Sequence, residues 1–197
     1  MPERARSYTR RDLVGIVSAA GLASLAGCST VGGSTPERLR IGTVQPPVTL
    51  DPITAKYTGS AQVIGKLFDG LYTYGEGTDL HPRIAAGQPT DEGDGAVLVD
   101  LADAATFHDG ESVTAADVTY SLETPVAEDT AAKAAVSGIE AVEAVDEHSV
   151  RLHLDHPDPA LDRALTRPIV PKSVREADRE GFGTEPVGSG PYELASF

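Results

Sequence analysis

The chain has 197 residues, with 30 Asp and Glu against 16 Lys and Arg, and a formal net charge of −14. Its 40% hydrophobic content excludes a fully disordered chain, and its length suits one domain or part of a larger one. A charge this negative disfavours nucleic acid as a partner. The single Cys can form no internal disulfide. Only 4 of the basic residues are Lys, which is typical of a salt-adapted protein, although an ordinary acidic surface is the alternative.

The first predicted feature is an export signal over residues 1–27, followed by an anchor. Arg10 and Arg11 resemble a twin-arginine signal, and the 15 uncharged residues of 13–27 are too few for a membrane-spanning helix, which needs about 20. The residues before Cys28 resemble a lipobox, in which such a Cys is acylated and becomes the N-terminus. We therefore expect an extracytoplasmic protein held at the outer face of the cell membrane by lipid on Cys28, with 28–37 as a flexible tether.

Beyond the tether, the apolar patterning predicts alternating helices and short strands. In chain order these are a strand at 39–44, a helix at 60–71, a strand at 96–101, a turn at Asp109-Gly110, a helix at 115–122 capped by Thr114, a hairpin of 139–145 with 150–154, a helix at 160–165, and strand-like pieces at 169–170 and 192–197. Asp117 stands at capping-box spacing from Thr114, in place of the usual Glu or Gln. The pattern predicts a mixed α/β (α+β) fold.

Candidate catalytic and metal-binding residues are few. His153 and His156 have suitable chemistry for a metal, but they would point to diverging sides, so a surface strand end is the better interpretation. Ser189 lacks the G-x-S-x-G pattern of a hydrolase elbow, and Gly188 and Gly190 lack the third glycine of a dinucleotide loop. We predict no enzyme, no metal site and no cofactor.

From residue 38 to residue 197 the order of motifs resembles the extracytoplasmic solute-binding proteins of ABC transporters, family 5, the peptide- and nickel-binding group. The matching stretches are residues 50–52, 68–71, 80–85, 107–110, 114–121, 142–146, 150–154, 169–172 and 186–192. The most specific of them supply a set of structural motif residues: Phe107, Asp109, Gly110, Asp117, Gly188, Gly190, Pro191 and Tyr192. One departure is the family's usual arginine before the phenylalanine, because residues 102–106 contain none.

These motif residues have physical roles that we predict as follows. Phe107 pins the end of a strand into the core, and Asp109 and Gly110 supply turn geometry. Asp117 satisfies free amides at the start of its helix. The two glycines Gly188 and Gly190 adopt backbone angles closed to other residues, and Pro191 fixes the step into a strand that starts at Tyr192. All are scaffold roles rather than ligand contacts.

The resemblance implies the N-terminal part of a type II periplasmic-binding-protein-like fold, whose two lobes close around a solute. Residues 38–197 are expected to form a partial family 5 domain that ends before the second lobe. The implied partners are ABC permease subunits, a peptide or other small solute, a separate chain supplying the second lobe, and the membrane through the lipid anchor. The alternative is a nonbinding surface or interaction lipoprotein that keeps only the scaffold.

In the relatives, the stretch corresponding to Pro47, Val48, Thr49 and Leu50 borders the cleft and can pair with an extended ligand backbone. The two prolines at 46 and 47 are expected to deny it internal hydrogen bonding, so we predict an open edge available to a solute. The alternative is an ordinary connection between lobes.

Overall fold

The computed structural model describes residues 42, 45–156 and 161–197, of which those from 45 onward belong to one structural unit. The predicted strand at 39–44, the export signal with Arg10 and Arg11, and the anchor residue Cys28 lie outside the described residues, Gly42 excepted. Two sheets and four helices make up the described part, which agrees with the predicted mixed α/β class.

The larger sheet has four antiparallel strands in the order β3-β4-β6-β5. They are β3 (Thr90–Gly93), β4 (Ala96–Asp100), β5 (Ile139–Asp146) and β6 (Ser149–Leu154). The predicted hairpin is confirmed as β5 and β6, and the predicted strand at 96–101 is confirmed as β4, one residue shorter. A second, two-stranded sheet pairs β1 (Tyr72–Tyr74) with β2 (Leu80–Pro82). The patterning missed this second sheet because each of its strands has only three residues.

The helices are α1 (Thr58–Leu67), α2 (Ala115–Ala127), α3 (Leu161–Leu165) and α4 (Lys172–Ala177), with 3₁₀ turns at Ala131–Ala135 and Gly181–Gly183. Helix α1 ends at Leu67 rather than residue 71, because Phe68 is extended and Gly70 bridges to Pro168. Helix α2 continues past Leu122 and includes Pro125. A proline removes one helical hydrogen bond, which did not stop the helix here. The prediction that it ends at residue 122 is therefore wrong.

Two predicted strand pieces are absent from the described residues. At 169–170 there is no strand: Ile169 N–H donates to Asp69 O beside the isolated Gly70–Pro168 bridge, and Val170 N–H donates to Ser121 Oγ, so the pairing does not extend. At 192–197 there is also no strand: the N–H of Tyr192 donates to Lys66 O at the end of α1, and no strand lies beside it. Both predictions are wrong because the Gly70–Pro168 bridge stays isolated, and the amides of Val170 and Tyr192 bond to Ser121 of α2 and Lys66 of α1 rather than to a neighbouring strand.

Two buried apolar clusters form the core. The first lies between the four-stranded sheet and α2, with Val99, Val150 and Leu152 from the sheet packed with Val118 and Leu122. The second joins α1 to the segments on either side of α4 and contains Leu50, Ile53, Ile64, Leu67, Phe68, Val170 and Phe182. In it the rings of Phe68 and Phe182 pack at a centroid distance of 6.1 Å and a tilt of 57°. This second cluster holds the segment predicted to border a cleft.

Candidate functional site

Residues 47–50, which we call the 47–50 segment, lie across the start of α1. The N–H groups of Val48 and Thr49 both donate to Ser60 Oγ, at 3.1 and 3.4 Å, and Leu50 N–H donates to Gly183 O at 2.8 Å. The expectation that prolines deny this segment internal hydrogen bonding is therefore wrong, because every N–H that it possesses is used. A solute pairing with its backbone is restricted to carbonyl oxygens.

The 47–50 segment exposes one apolar side chain and buries another. The side chain of Val48 is 66% exposed and that of Leu50 is 0% exposed, so the segment is held from beneath by Leu50 and presents Val48 outward. Tyr57, the residue before α1, is 55% exposed. Gly59 permits this arrangement, because a Cβ there would lie 2.3 Å from Gln45 O. The result is a fixed backbone with exposed apolar side chains at its surface.

Directly after the segment, Asp51 takes part in a buried ion-pair cluster that we call the Arg175 network: Asp51, Tyr120, Glu128, Arg175 and Arg179. Arg175 is 1% exposed and Asp51 is 2% exposed. The guanidinium donates from Nε and Nη2 to the Asp51 carboxylate at 3.0–3.2 Å, and from Nη1 and Nη2 to Glu128 at 3.1 and 2.9 Å. Nη1 also donates to the Tyr120 hydroxyl at 2.7 Å. The buried Arg175 guanidinium is therefore paired with two carboxylates and donates hydrogen bonds from all three of its nitrogens, which offsets the cost of burying its charge.

The charges of the network alternate from the core to the surface. Asp51 is followed by Arg175, then Glu128, and then by Arg179, whose Nη1 lies 2.9 Å from Glu128 Oε1 at the solvent boundary. Hydrogen bonds from Arg175 hold the pKa of Glu128 below its ordinary value, against the opposing effect of burial. The same carboxylates raise the pKa of Arg175, although burial acts to lower it. Glu128 and Arg175 therefore each favour the ionised form that their pairing requires.

A second arginine contacts the same stretch of chain. Arg167 donates from Nη2 to Pro52 O at 2.9 Å, and burial lowers its pKa. Its Nε is buried and has no hydrogen-bond partner within the described part of the chain. Residues 51 and 52 are thus each held by a guanidinium.

The predicted glycine loop, residues 186–191, packs against the end of α1. Gly190 N–H donates to Leu67 O, and Ser189 Oγ accepts from Asp69 N–H at 3.2 Å. Gly188 and Gly190 do not adopt positive φ, so the predicted reason for these glycines is wrong. The requirement is space: a Cβ on Gly188 would lie 1.9 Å from Leu67 O, and one on Gly190 would lie 2.7 Å from Leu67 C.

The loop is also tied to the turn that follows Phe107. His108 N–H donates to Gly188 O at 2.7 Å, and the His108 ring Nε2 lies 2.8 Å from Gly190 O. Phe107 is buried in the first cluster, and the turn behind it places Gly110 at φ 89°, where glycine is favoured. Asp109 Oδ1 accepts from Glu111 N–H at 3.1 Å. The two most specific motifs of the sequence therefore contact each other.

The last two motif residues of the loop are less embedded than their predicted role suggests. Pro191 is exposed, Tyr192 is 60% exposed, and the N–H of Tyr192 donates to Lys66 O. No strand follows Pro191 in the described residues, so its predicted role of leading into one is wrong.

Asp117 joins two helices. Its Oδ2 accepts from the N–H and the Oγ1 of Thr114, at 2.9 and 2.7 Å, which gives the predicted return bond of a capping arrangement. Its Oδ1 accepts from Lys172 N–H at 2.8 Å, at the start of α4. One buried carboxylate therefore fixes α4, which carries Arg175, relative to α2.

Among the described residues, no three His, Cys, Asp or Glu side chains form a group that could hold a metal ion. His153 lies at the surface with Nε2 3.4 Å from Glu143, and His156 contacts Asp155. Within the same part of the chain, none of the helices combines the length and apolar character needed to cross a bilayer.

A comparison with known protein families assigns the chain to a family. The profile of "Bacterial extracellular solute-binding proteins, family 5 Middle" matches residues 79–197. The chain belongs to this family. The recognition made from the motifs is thereby confirmed.

Individual relatives agree with that assignment. The chain is 31% identical over 172 residues to "Protein XP55" of Streptomyces lividans, covering 84% of this chain and 31% of that protein. It is 27% identical over 155 residues to the "Glutathione-binding protein GsiB" of Salmonella typhi, covering 76% and 30%. The chain spans about a third of the length of the curated relatives it matches.

The solved structures show the same fold. The Escherichia coli murein tripeptide binding protein MppA matches with a TM-score of 0.66 at 29% identity, over 77% of this chain and 34% of that chain. The fold is thus mixed α/β and corresponds to part of the type II periplasmic-binding-protein architecture, as predicted.

The sequence predicted a solute-facing role for the 47–50 segment, which stays a prediction, and did not predict the residues that hold this segment. Glu128 and Arg175 drew no attention, because both lie in stretches rich in charge, where a solvent-exposed face is the ordinary interpretation. The available signal was Asp51 between two buried apolar residues, Leu50 and Ile53, since a carboxylate in such a place requires a cation.

Proposed function

We propose that this chain is the first-lobe portion of a lipid-anchored solute-binding component of an ABC importer for peptides or similar small solutes. The observation that carries the proposal is the family 5 match over residues 79–197. The relatives named for glutathione and for a murein tripeptide favour small peptide-like solutes. The 47–50 segment contributes Pro47, Val48, Thr49 and Leu50 to one side of the site, through exposed Val48 and the backbone carbonyl oxygens.

The proposal includes a domain organisation. Residues 1–27 direct export through Arg10 and Arg11, Cys28 carries the lipid, 28–37 are the tether, and 38–197 are the binding portion. The partners are permease subunits in the membrane and a second lobe, supplied by a separate chain or by further coding sequence. Nothing in the described geometry favours catalysis.

Calorimetry on the 197-residue chain tests the binding proposal, with glutathione and trialanine as probes and with or without a supplied second lobe. Small-ligand sites bury most of the ligand surface, so one lobe alone is expected to bind weakly or not at all, and the second lobe restores binding. Tight binding by this chain alone would overturn the half-receptor proposal. Failure of both probes with the second lobe present would favour the nonbinding scaffold lipoprotein instead.

The anchor is tested separately with Cys28→Ser. Loss of the acylated thiol should release the protein from membranes or leave it unprocessed, and cell fractionation measures this. Two acyl chains hold a protein stably because each buried methylene contributes about 0.8 kcal/mol. Unchanged membrane association would show that residues 13–27, or another contact, hold the protein.

A further inference from the structure

Residues 172–183 contact the 47–50 segment and the adjacent Asp51 at three points. Arg175 on α4 binds the Asp51 carboxylate, Gly183 O accepts from Leu50 N–H, and Gly183 lies against Thr49, where a Cβ would come within 2.6 Å of Thr49 Oγ1. All three contacts join residues more than a hundred positions apart. The stretch 172–183 therefore holds the end of the segment at Thr49, Leu50 and Asp51, while Ser60 of α1 holds its Val48 and Thr49 amides.

The Asp51 carboxylate also accepts hydrogen bonds from residues that follow it in the chain. While its oxygens accept from Arg175, Oδ1 also accepts from Ile53 N–H at 3.0 Å and Oδ2 from Thr54 Oγ1 at 3.0 Å. Thr49 Oγ1 accepts from Asp51 N–H at 3.2 Å on the other side. The Asp51 carboxylate thus holds residues 53 and 54, the Asp51 N–H bonds to Thr49, and the carboxylate itself is held by one guanidinium.

The ion pair between Arg175 and Asp51 is better suited to orienting Asp51 than to stabilising the fold. An apolar cluster of the same volume would stabilise a fold as well as a buried ion pair, because desolvation offsets most of the attraction. A guanidinium, in contrast, donates two parallel hydrogen bonds to a carboxylate, and this pairing fixes the relative orientation of the two groups. Arg175 uses all three of its nitrogens in this way. What it fixes is the orientation of the Asp51 carboxylate, directly after the segment.

We propose that Arg175 is a positioning residue for the solute site: acting through Asp51, it holds the 47–50 segment in the conformation that contacts solute. The solute part of this inference rests on the proposed function. The restraint on the segment does not, and it can be measured without any solute.

Amide hydrogen exchange on the 197-residue chain tests the restraint, comparing Arg175→Met with Arg151→Met. Arg151 is a matched control, because it also pairs with two carboxylates, Glu92 and Glu143, but on the outer surface of the sheet. Both variants remove one positive charge. In Arg175→Met the amides of Leu50 and Ile53 should exchange about tenfold faster or more, with the β4–β6 ladder unchanged, and Arg151→Met should leave all of them unchanged.

Two milder variants keep the test decisive if Arg175→Met fails to fold. Arg175→Lys keeps the charge and loses the fork geometry, and Glu128→Gln weakens the partly exposed side of the network. Each should accelerate the same two amides by a smaller factor. Equal acceleration in the ladder would mean global destabilisation, and unchanged exchange at Leu50 and Ile53 in a folded variant would mean no restraint; either result overturns the proposal.

The solute arm uses glutathione and trialanine with the second lobe supplied. Loss of affinity in Arg175→Lys but not in Arg151→Met supports a positioning role. Unchanged affinity alongside faster exchange overturns it. If the parent chain binds neither probe, the proposed function fails, and the exchange experiment alone decides whether Arg175 restrains the segment.

Discussion

At the scale of single residues, the closest approach in the glycine loop is that of Gly188 to α1. A methyl group there would lie 1.9 Å from Leu67 O, which is backbone and cannot rotate away. We expect Gly188→Ala to lower the free energy of unfolding by about 1–3 kcal/mol or more, measured by urea unfolding with circular dichroism. The matched control is Gly65→Ala inside α1, where a Cβ meets nothing within 4 Å and a gain of up to about 1 kcal/mol is expected. Equal stability of Gly188→Ala and the parent would contradict the packing described.

Glu128 gives a pH dependence whose sign follows from its lowered pKa. A carboxylate with a depressed folded pKa stabilises the protein above its unfolded value, about 4.3, and loses that contribution as pH falls through the folded pKa. Glu128→Gln should therefore be less stable than the parent at pH 7, and the difference should shrink in acid. Urea midpoints from pH 7 to pH 3 measure this.

The control for this pH series is Glu143→Gln in 0.5 M KCl. Glu143 also has a lowered pKa, caused first by its hydrogen bond to Arg151, but it lies at the surface, where salt screens its pairing. The loss of stability caused by Glu143→Gln should become smaller in salt, while the loss caused by Glu128→Gln should remain. Parallel curves for the parent and Glu128→Gln at all pH values would rule out the proposed coupling to Arg175.

At the scale of elements, Asp117 serves both α2 and α4, so removing it should cost more than removing its partner. Thr114→Ala loses one side-chain bond and should lower stability by about 1 kcal/mol. Asp117→Ala also leaves the N–H of Lys172 without a partner and should cost about 2–3 kcal/mol. Thr119→Ala, which removes only a bond to Ala115 O within α2, should stay within about 0.5 kcal/mol. Thermal or urea unfolding decides the order, and equal losses at 114 and 117 would show that the bond to α4 contributes nothing.

The elements predicted correctly are those that local sequence specifies. The β5–β6 hairpin has its turn between two alternating runs, and the start of α2 has Thr114 and Asp117 at the right spacing. The end of α1 depended instead on Gly70 meeting Pro168, about a hundred residues away, which periodicity does not report. The candidate site divides in the same way. Residues 47–50 were predicted to border a cleft from the family resemblance, and this stays a prediction. Arg175, which binds Asp51 beside them, lies 124 positions away and has no distinctive local sequence pattern.

At the scale of the whole molecule, the excess of acidic side chains causes electrostatic repulsion among carboxylates, which no single ion pair offsets. Ion pairs do occur at the surface, such as Arg151 with Glu92 and Glu143, but exposed pairs are typically worth only about 0.2–1 kcal/mol each. Thirty acidic residues against sixteen basic ones leave at least 14 carboxylates without a Lys or Arg to match. Removal of residues 1–27, as proposed, would take away four Arg, one Glu and one Asp and lower the charge from −14 to −16.

Salt should therefore stabilise this protein. Ions screen charges over about 10 Å at 0.1 M and about 3 Å at 1 M, so self-repulsion falls steeply across that range. We expect the folded fraction, followed by circular dichroism along a KCl series, to rise from dilute buffer to molar salt. Sorbitol at equal osmolality is the control, because it carries no charge, and it should reproduce little of the gain. A fold that is complete and equally stable in dilute buffer would reject salt adaptation and favour an ordinary acidic surface.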